Sequence, residues 1–83
     1  MQVTVEISKY PLKDEYVKPI KDFIDRVIVV DGITVITNNL STQISGDYDL
    51  VLSIITKEIK NSFEKFGKSV FVMKILSGNL LED

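Results

Sequence analysis

The spacing of the apolar residues constrains this chain of 83 residues more than any other feature of its sequence. Two stretches, residues 14–29 and 47–66, repeat apolar side chains every three or four positions, which predicts amphipathic helices. The segments with the alternating or β-branched composition of strands are residues 2–8, 33–37, 41–45 and 69–76. The order is therefore β-α-β-β-α-β, which predicts an α+β domain of the ferredoxin-like type.

Short signals mark the ends of these elements. Pro11 is predicted to end the first strand together with the preceding tyrosine, because proline cannot continue a hydrogen-bonded ladder. Pro19 is tolerated only if it falls in the first turn of its helix, where the amide donors have no partner within the helix. Asp47 or Ser45 is a plausible cap for the second helix, and Gly67 is predicted to end it.

Two helices can cover only one face of the predicted four-stranded antiparallel sheet. The other face is expected to carry Glu6, which can pair with Lys74 across neighbouring strands, and one half of the last strand. A half-apolar open face on so small a domain favours self-association, so we expect a homodimer or homotetramer formed through the sheet. Residues 1–83 are expected to form a single domain, with a loose tail at residues 77–83.

The sequence contains neither histidine nor cysteine. The commonest general base, the thiolate nucleophile and the commonest transition-metal ligands are therefore missing. An enzyme would have to use Glu6 or Asp47 as its base, and nothing in the sequence places a nucleophile beside either. We therefore expect a protein that is not an enzyme, with no catalytic residue, no metal site and no cofactor.

The charge pattern and the hydropathy pattern narrow the choice of partners. Ten basic and twelve acidic residues are interspersed and give a net charge of −2, which disfavours binding to nucleic acid. No stretch approaches the roughly 18 apolar residues of a membrane span, and the N-terminus lacks the pattern of a signal peptide. We therefore expect no membrane partner and, by default, a cytoplasmic location.

The densest group of uncharged polar side chains lies between residues 37 and 47. Hydroxyl and amide groups offer donors and acceptors without charge, which suits a neutral heteroaromatic ring with several nitrogen atoms. The competing interpretation is a polar hairpin followed by a helix cap, since turns are polar for structural reasons. Tyr10 offers a flat apolar ring with a polar tip, and it could either stack on a ligand or serve the fold.

Two short motifs resemble those of a known family. Ile7-Ser8-Lys9-Tyr10-Pro11-Leu12 resembles the Ser-x-Tyr-Pro opening of the YkoF-like thiamine/hydroxymethylpyrimidine-binding proteins. The stretch from residue 37 to Gly46 resembles their second motif, in which a polar turn leads into Ser-Thr and a glycine precedes the second helix. The resemblance spans residues 1–76 and implies a ferredoxin-like fold assembled into dimers or higher oligomers. It also implies non-catalytic binding of thiamine or hydroxymethylpyrimidine.

The resemblance assigns candidate ligand-binding residues. Ser41 and Thr42 match the Ser-Thr of the family, Tyr10 matches its tyrosine, and Thr37 and Asn38 fall where it places polar groups of the pocket. The family often has charged or aromatic groups in this turn, whereas this chain has two asparagines there. We therefore expect a small-molecule ligand, either thiamine or hydroxymethylpyrimidine. The alternative is a protein-interaction domain that uses the open sheet face and binds no small ligand.

Overall fold

The computed structural model describes residues 1–11, 17–38 and 40–81. Its elements are β1 (Gln2–Pro11), α1 (Val17–Ile28), β2 (Ile33–Thr37), β3 (Thr42–Asp47), α2 (Tyr48–Phe66) and β4 (Ser69–Ser77). The strands form one antiparallel sheet in the order β2-β3-β1-β4. This order confirms the predicted ferredoxin-like fold.

Both helices pack on one face of the sheet, and the core lies between the two layers. Every second residue of β1 points into this layer, as the alternation predicts, and both helices contribute the facing side chains. The buried apolar residues are Val3, Val5, Ile7, Phe23, Val27, Ile44, Val51 and Ile55. We refer to this side of the sheet as the helix face and to the other side as the open face.

β1 is longer than predicted, because Pro11 belongs to the strand and pairs with Ser69 of β4. Gly78 donates its backbone N–H to the carbonyl oxygen of Gln2 (2.9 Å), and such bonds recur at every second residue of an antiparallel ladder. The backbone N–H and C=O groups of the even-numbered residues of β1 therefore point towards β4. The N–H that Pro11 lacks would have pointed the other way, where β3 has already ended opposite Ile7. The proline therefore interrupts no bond between β1 and β4.

The helix ends follow the sequence signals in most places. Asp47 caps α2, since its carboxylate accepts a hydrogen bond from the Leu50 N–H (3.4 Å). Ser45, the alternative cap, lies instead within β3, where it is buried and donates to the carbonyl oxygen of Val3 (3.2 Å). Gly67 follows α2 with a φ of 78°, a conformation that favours glycine.

The described part of the helical pattern of residues 14–29 is α1, Val17–Ile28. Pro19 lies in the first turn of the described helix, where proline is tolerated. Residues 14–16 lie outside the described part of the chain.

The chain after β4 folds back against the open face of the sheet. The hydroxyl of Thr4 donates to the Gly78 carbonyl oxygen (2.8 Å) and accepts from the Leu80 N–H (2.9 Å). The sequence predicted a loose tail from Ser77, but Ser77 completes β4 and these bonds hold the next three residues. Residues 82–83 lie outside the described chain.

Asp22 of α1 joins the two helices electrostatically. Its carboxylate accepts hydrogen bonds from Lys65 of α2 and from Arg26 (both 3.0 Å). Desolvation by burial raises the pKa of Asp22, but the two hydrogen bonds outweigh it and hold the pKa below its usual value. The charged carboxylate therefore stabilises the folded state above the unfolded-state pKa, which is about 4.

We expect this stabilisation to disappear as the pH falls from about 4 through the lower pKa of folded Asp22. The Asp22→Asn variant should therefore be less stable than the wild type at neutral pH. Its free energy of unfolding should also fall less than that of the wild type on acidification. Urea unfolding between pH 7 and pH 2.5 measures this. Asp25→Asn is the matched control, because its pair with Lys21 is exposed and contributes little. Identical acid profiles for Asp22→Asn and the wild type would contradict the prediction.

Candidate functional site

A cavity of about 170 Å³ opens at the end of the sheet where the connection between β2 and β3 lies. It exists because β1 continues to Pro11, whereas β3 begins at Thr42, opposite Ile7. A gap is left beside residues 8–10 of β1. Apolar side chains from β1, α1, the β2–β3 connection and β4 line this gap: Ile7, Phe23, Ile24, Leu40 and Phe71.

All five residues that the sequence proposed for ligand binding border this one cavity: Tyr10, Thr37, Asn38, Ser41 and Thr42. Four of them come from the hairpin and one from the end of β1. The structure therefore brings the two sequence motifs together in space. Their role in holding a ligand stays a prediction, and their side chains are placed differently from one another.

Thr37 and Thr42 form a hydroxyl pair on the helix face of the sheet. They lie opposite each other on β2 and β3, with their Oγ1 atoms 3.0 Å apart. Thr42 is buried and Thr37 is exposed. One hydroxyl hydrogen is used between them, so the pair keeps one O–H donor and several lone pairs for a third group.

Asn38 and Ser41 have structural partners. The side-chain oxygen of Asn38 accepts from the N–H groups of Leu40 (2.8 Å) and Ser41 (3.1 Å), an arrangement that closes the hairpin. The Ser41 hydroxyl donates to the Glu6 carboxylate (3.1 Å) on the open face, and Glu6 also pairs with Lys74 (3.6 Å), as predicted. The interpretation of this segment as a polar hairpin therefore accounts for part of its composition.

Tyr10 borders the cavity from the other side of β1. Its register opposite Val70 places its side chain on the open face, because Ile7 and Lys9 point to the helix face. The tyrosine is 55% exposed. The side chain of Tyr10 is therefore largely exposed on the open face, whereas Thr37 and Thr42 border the cavity on the helix face.

Lys9 is a lining residue that the sequence reasoning missed. Its ammonium group donates to the Ser62 hydroxyl and lies 5.1 and 5.4 Å from the ring centroids of Phe66 and Phe71. Desolvation by burial lowers the pKa of Lys9, and the negative charge of Asp22 opposes this shift. One signal was present, since Lys9 continues the alternation of Val3, Val5 and Ile7 with a polar residue on the buried side.

The aromatic wall of the cavity was also missed. Phe71 of β4 packs against Phe23 of α1 and Phe63 of α2, with ring centroids 5.2 and 5.6 Å apart. The sequence left open which half of β4 faces the helices, and the register settles it in favour of Phe71. This wall makes the cavity apolar on the side opposite the threonine pair.

The described residues form neither a metal site nor a membrane-spanning helix. No group of three or more acidic side chains there is arranged to hold a metal ion. Neither α1 nor α2 combines the length and the apolar character needed to cross a bilayer.

Several solved structures are similar to this fold. A Streptococcus pneumoniae protein superposes with a TM-score of 0.86 at 17% identity, covering 98% of this chain and 91% of its own. A hypothetical protein of Methanocaldococcus jannaschii has a TM-score of 0.80 at 25% identity, over 98% and 84% of the two chains. A Thermotoga maritima protein, for which a role in thiamine biosynthesis or salvage has been proposed, has a TM-score of 0.80 at 16% identity, over 90% and 82%.

The sequence itself matches a family model over nearly its whole length. No curated protein matches it. The model of the YkoF-related family, however, covers residues 2–80, which include both motifs and every described element from β1 to β4. The chain therefore belongs to the YkoF-related family.

Proposed function

We propose that this protein binds thiamine or its hydroxymethylpyrimidine moiety without catalysis, as a carrier, a salvage accessory or a sensor. The observation that carries the proposal is the hydroxyl pair of Thr37 and Thr42 beside an apolar cavity. Membership of the YkoF-related family supports it, and so does the fold shared with the Thermotoga protein. Small ligands are typically held in this way, by apolar walls and a few placed polar groups.

The chemistry of the threonine pair suits an aminopyrimidine. Such a ring presents nitrogen acceptors next to an exocyclic amine donor. Thr37 and Thr42 together offer an O–H donor and hydroxyl lone pairs within 3.0 Å of each other, which can meet both groups. Phe71, Phe23 and Ile7 would cover the apolar parts of the ring.

The size of the cavity favours the smaller ligand. Its volume of about 170 Å³ is below the roughly 300 Å³ at which pockets for drug-sized molecules begin. A single pyrimidine ring suits this space better than the two rings of thiamine. The second ring of thiamine would extend through the mouth towards Tyr10, whose ring offers a stacking surface there.

The described residues that line the cavity include no carboxylate, and their ionisable side chains are Lys9 and Tyr10. A general base would have to be one of these two side chains, and the ammonium group of Lys9 already donates to Ser62. This composition supports binding in preference to proton transfer.

Thr42→Val tests the proposal directly. Valine has nearly the shape of threonine but lacks the hydroxyl, so a polar atom of the ligand would be left unpaired in the cavity. We expect the affinity for hydroxymethylpyrimidine to fall about 10-fold or more, which is about 1.4 kcal/mol. Calorimetric titration with hydroxymethylpyrimidine and with thiamine measures the change.

The matched control is Thr34→Val, which makes the same chemical change on the open face of β2. Thr34 does not line the cavity, and its replacement should leave the affinity unchanged. Unchanged affinity in Thr42→Val, or an equal loss in both variants, would contradict the proposed site. Circular dichroism of both variants verifies that the fold is intact.

A second candidate function is self-association without a small ligand. Three apolar residues of β4 are exposed on the open face, namely Val70, Val72 and Leu76. We propose a homodimer or homotetramer formed through the sheet, whether or not a ligand binds. A thermal-shift screen separates the two functions, because a ligand at about 100 times its Kd adds about 2.7 kcal/mol of stability. No shift with any thiamine or pyrimidine analogue would favour the interaction domain alone.

A further inference from the structure

Lys9 is the one cationic side chain among the described residues that line the cavity. Its ammonium group donates to the buried hydroxyl of Ser62. It also lies 5.1 and 5.4 Å from the ring centroids of Phe66 and Phe71. Taking a charge out of water is costly, and here desolvation lowers the pKa of Lys9. An anion beside the ammonium group would offset this cost.

The acidic side chains near this end of the cavity already have partners. Asp22, which attracts Lys9 electrostatically, accepts hydrogen bonds from Arg26 and Lys65, both at 3.0 Å. One carboxylate is therefore shared among three cations. Glu58 of α2 is buried, accepts a hydrogen bond within its own helix (2.8 Å) and does not line the cavity. In the described part of the chain, this end of the cavity therefore has a surplus of positive charge.

Lys9 and the threonine pair lie on the same face of the sheet, about one ring apart. Thr42 is in register with Ile7, and Lys9 is two residues further along β1 on the helix face. Diagonal neighbours of this kind are about 7–8 Å apart. A pyrimidine ring whose polar atoms meet Thr37 and Thr42 therefore has its other side next to the Lys9 side chain.

The exposure of Lys9 suits a strongly charged group. Lys9 is half-buried, so an anion beside it would keep contact with water on its outer side. Complete burial of an anion would carry a large desolvation cost, which this position avoids. The apolar walls would meanwhile hold the ring and leave the charged group to the lysine.

We propose that the cavity prefers an anionic pyrimidine, namely hydroxymethylpyrimidine with a phosphate ester on its hydroxymethyl arm, and that Lys9 recognises the phosphate. This inference rests on the proposed binding function and specifies its class of ligand. Hydrogen bonds between ionised groups are about twice as strong as neutral ones, so the phosphate adds affinity. The positively charged thiazolium ring of thiamine gains nothing from the ammonium group, because like charges repel.

Lys9→Met tests the role of the charge, because methionine keeps an unbranched apolar side chain and removes the ammonium group. Calorimetric titration with hydroxymethylpyrimidine and with its phosphate ester measures the preference. We expect the wild type to bind the ester about 10-fold or more tightly than the parent alcohol. In Lys9→Met the preference should disappear, while the affinity for the alcohol stays within about 2-fold.

Lys74→Met is the matched control, because it removes the same charge from the open face. Lys74 pairs with Glu6 (3.6 Å), is largely exposed and does not line the cavity. This variant should keep the full preference for the ester. Lys9→Gln provides a second test, since it keeps a hydrogen-bond donor without the charge and should lose most of the preference.

Salt separates the effect of charge from that of shape. The Debye length falls from about 30 Å at 0.01 M salt to about 3 Å at 1 M. The affinity of the wild type for the ester should therefore fall over this range, whereas its affinity for the uncharged alcohol should change little. An equal salt dependence for both ligands would contradict a charge interaction at Lys9.

Inorganic phosphate is the third ligand, because it carries the anion without the ring. The proposal requires both parts, so inorganic phosphate should bind much more weakly than the ester. Equal affinity for the two would indicate an anion site that ignores the pyrimidine, and it would overturn the proposal.

The remaining outcomes separate this inference from the proposed function. A wild type that binds the alcohol at least as tightly as the ester would overturn the anion preference and leave the binding function intact. An equal loss for both ligands in Lys9→Met would make Lys9 a structural residue and overturn its assigned role. If neither ligand binds, both proposals are wrong. Binding of the ester alone, lost in Lys9→Met and kept in Lys74→Met, would support both.

Discussion

Replacing Ile44 by alanine is expected to lower the free energy of unfolding by about 3 kcal/mol, within the 2–5 kcal/mol range of such changes. Ile44 is fully buried in β3 and lies in register with Val5 on one side and Val35 on the other. The surrounding strands cannot collapse into the space that the side chain leaves. An 83-residue domain has about 4–12 kcal/mol of stability in total, so this one change should bring the protein close to unfolding.

Ile36→Ala is the matched control for this prediction. Ile36 lies on the neighbouring strand β2, but it is 44% exposed on the open face, so the same truncation should have a much smaller effect. Urea unfolding should be measured at two protein concentrations, because self-association would add to the apparent stability. Similar losses in both variants would show that Ile44 is not part of a rigid core.

The fold could be predicted because it rests on local patterns. The alternation of Val3, Val5 and Ile7 defines the buried side of β1, and helical spacing defines the buried sides of both helices. The errors occurred where a local signal had more than one structural use. Pro11 was taken as the end of a strand, although the N–H that it lacks would have pointed towards β3, and its pairing with β4 continues. Ser45 was taken both as the end of a strand and as an alternative helix cap to Asp47, and it lies in β3 while Asp47 is the cap.

The candidate site was only partly accessible to the same reasoning. The sequence indicated the polar hairpin, because those residues are neighbours in the chain. It did not indicate that the side-chain oxygen of Asn38 accepts hydrogen bonds within the hairpin, or that the Ser41 hydroxyl donates to Glu6. Phe71 was missed because it is far from the hairpin in sequence and reaches the cavity only through the pairing of β4 with β1.

Thr37→Trp is expected to have the largest effect on ligand binding. Thr37 lies at the end of β2 with its side chain on the helix face, where it borders the cavity. An indole at this position would fill much of the 170 Å³ and remove one hydroxyl of the threonine pair. Because Thr37 is exposed and tryptophan is well accepted in strands, the fold should tolerate the change.

We expect Thr37→Trp to weaken the binding of hydroxymethylpyrimidine by about 100-fold or more, which is about 2.7 kcal/mol. Ile36→Trp is the control, because alternation places residue 36 on the open face of the same strand, away from the cavity. Calorimetric titration should therefore give a much lower affinity for Thr37→Trp than for Ile36→Trp, although the two variants differ only in the face of β2 that carries the indole. A ligand that binds both variants as it binds the wild type lies elsewhere on the molecule. An equal loss of affinity in both variants would mean that the substitutions disturb β2 as a whole, because a ligand inside the cavity should be affected only by the indole on the helix face.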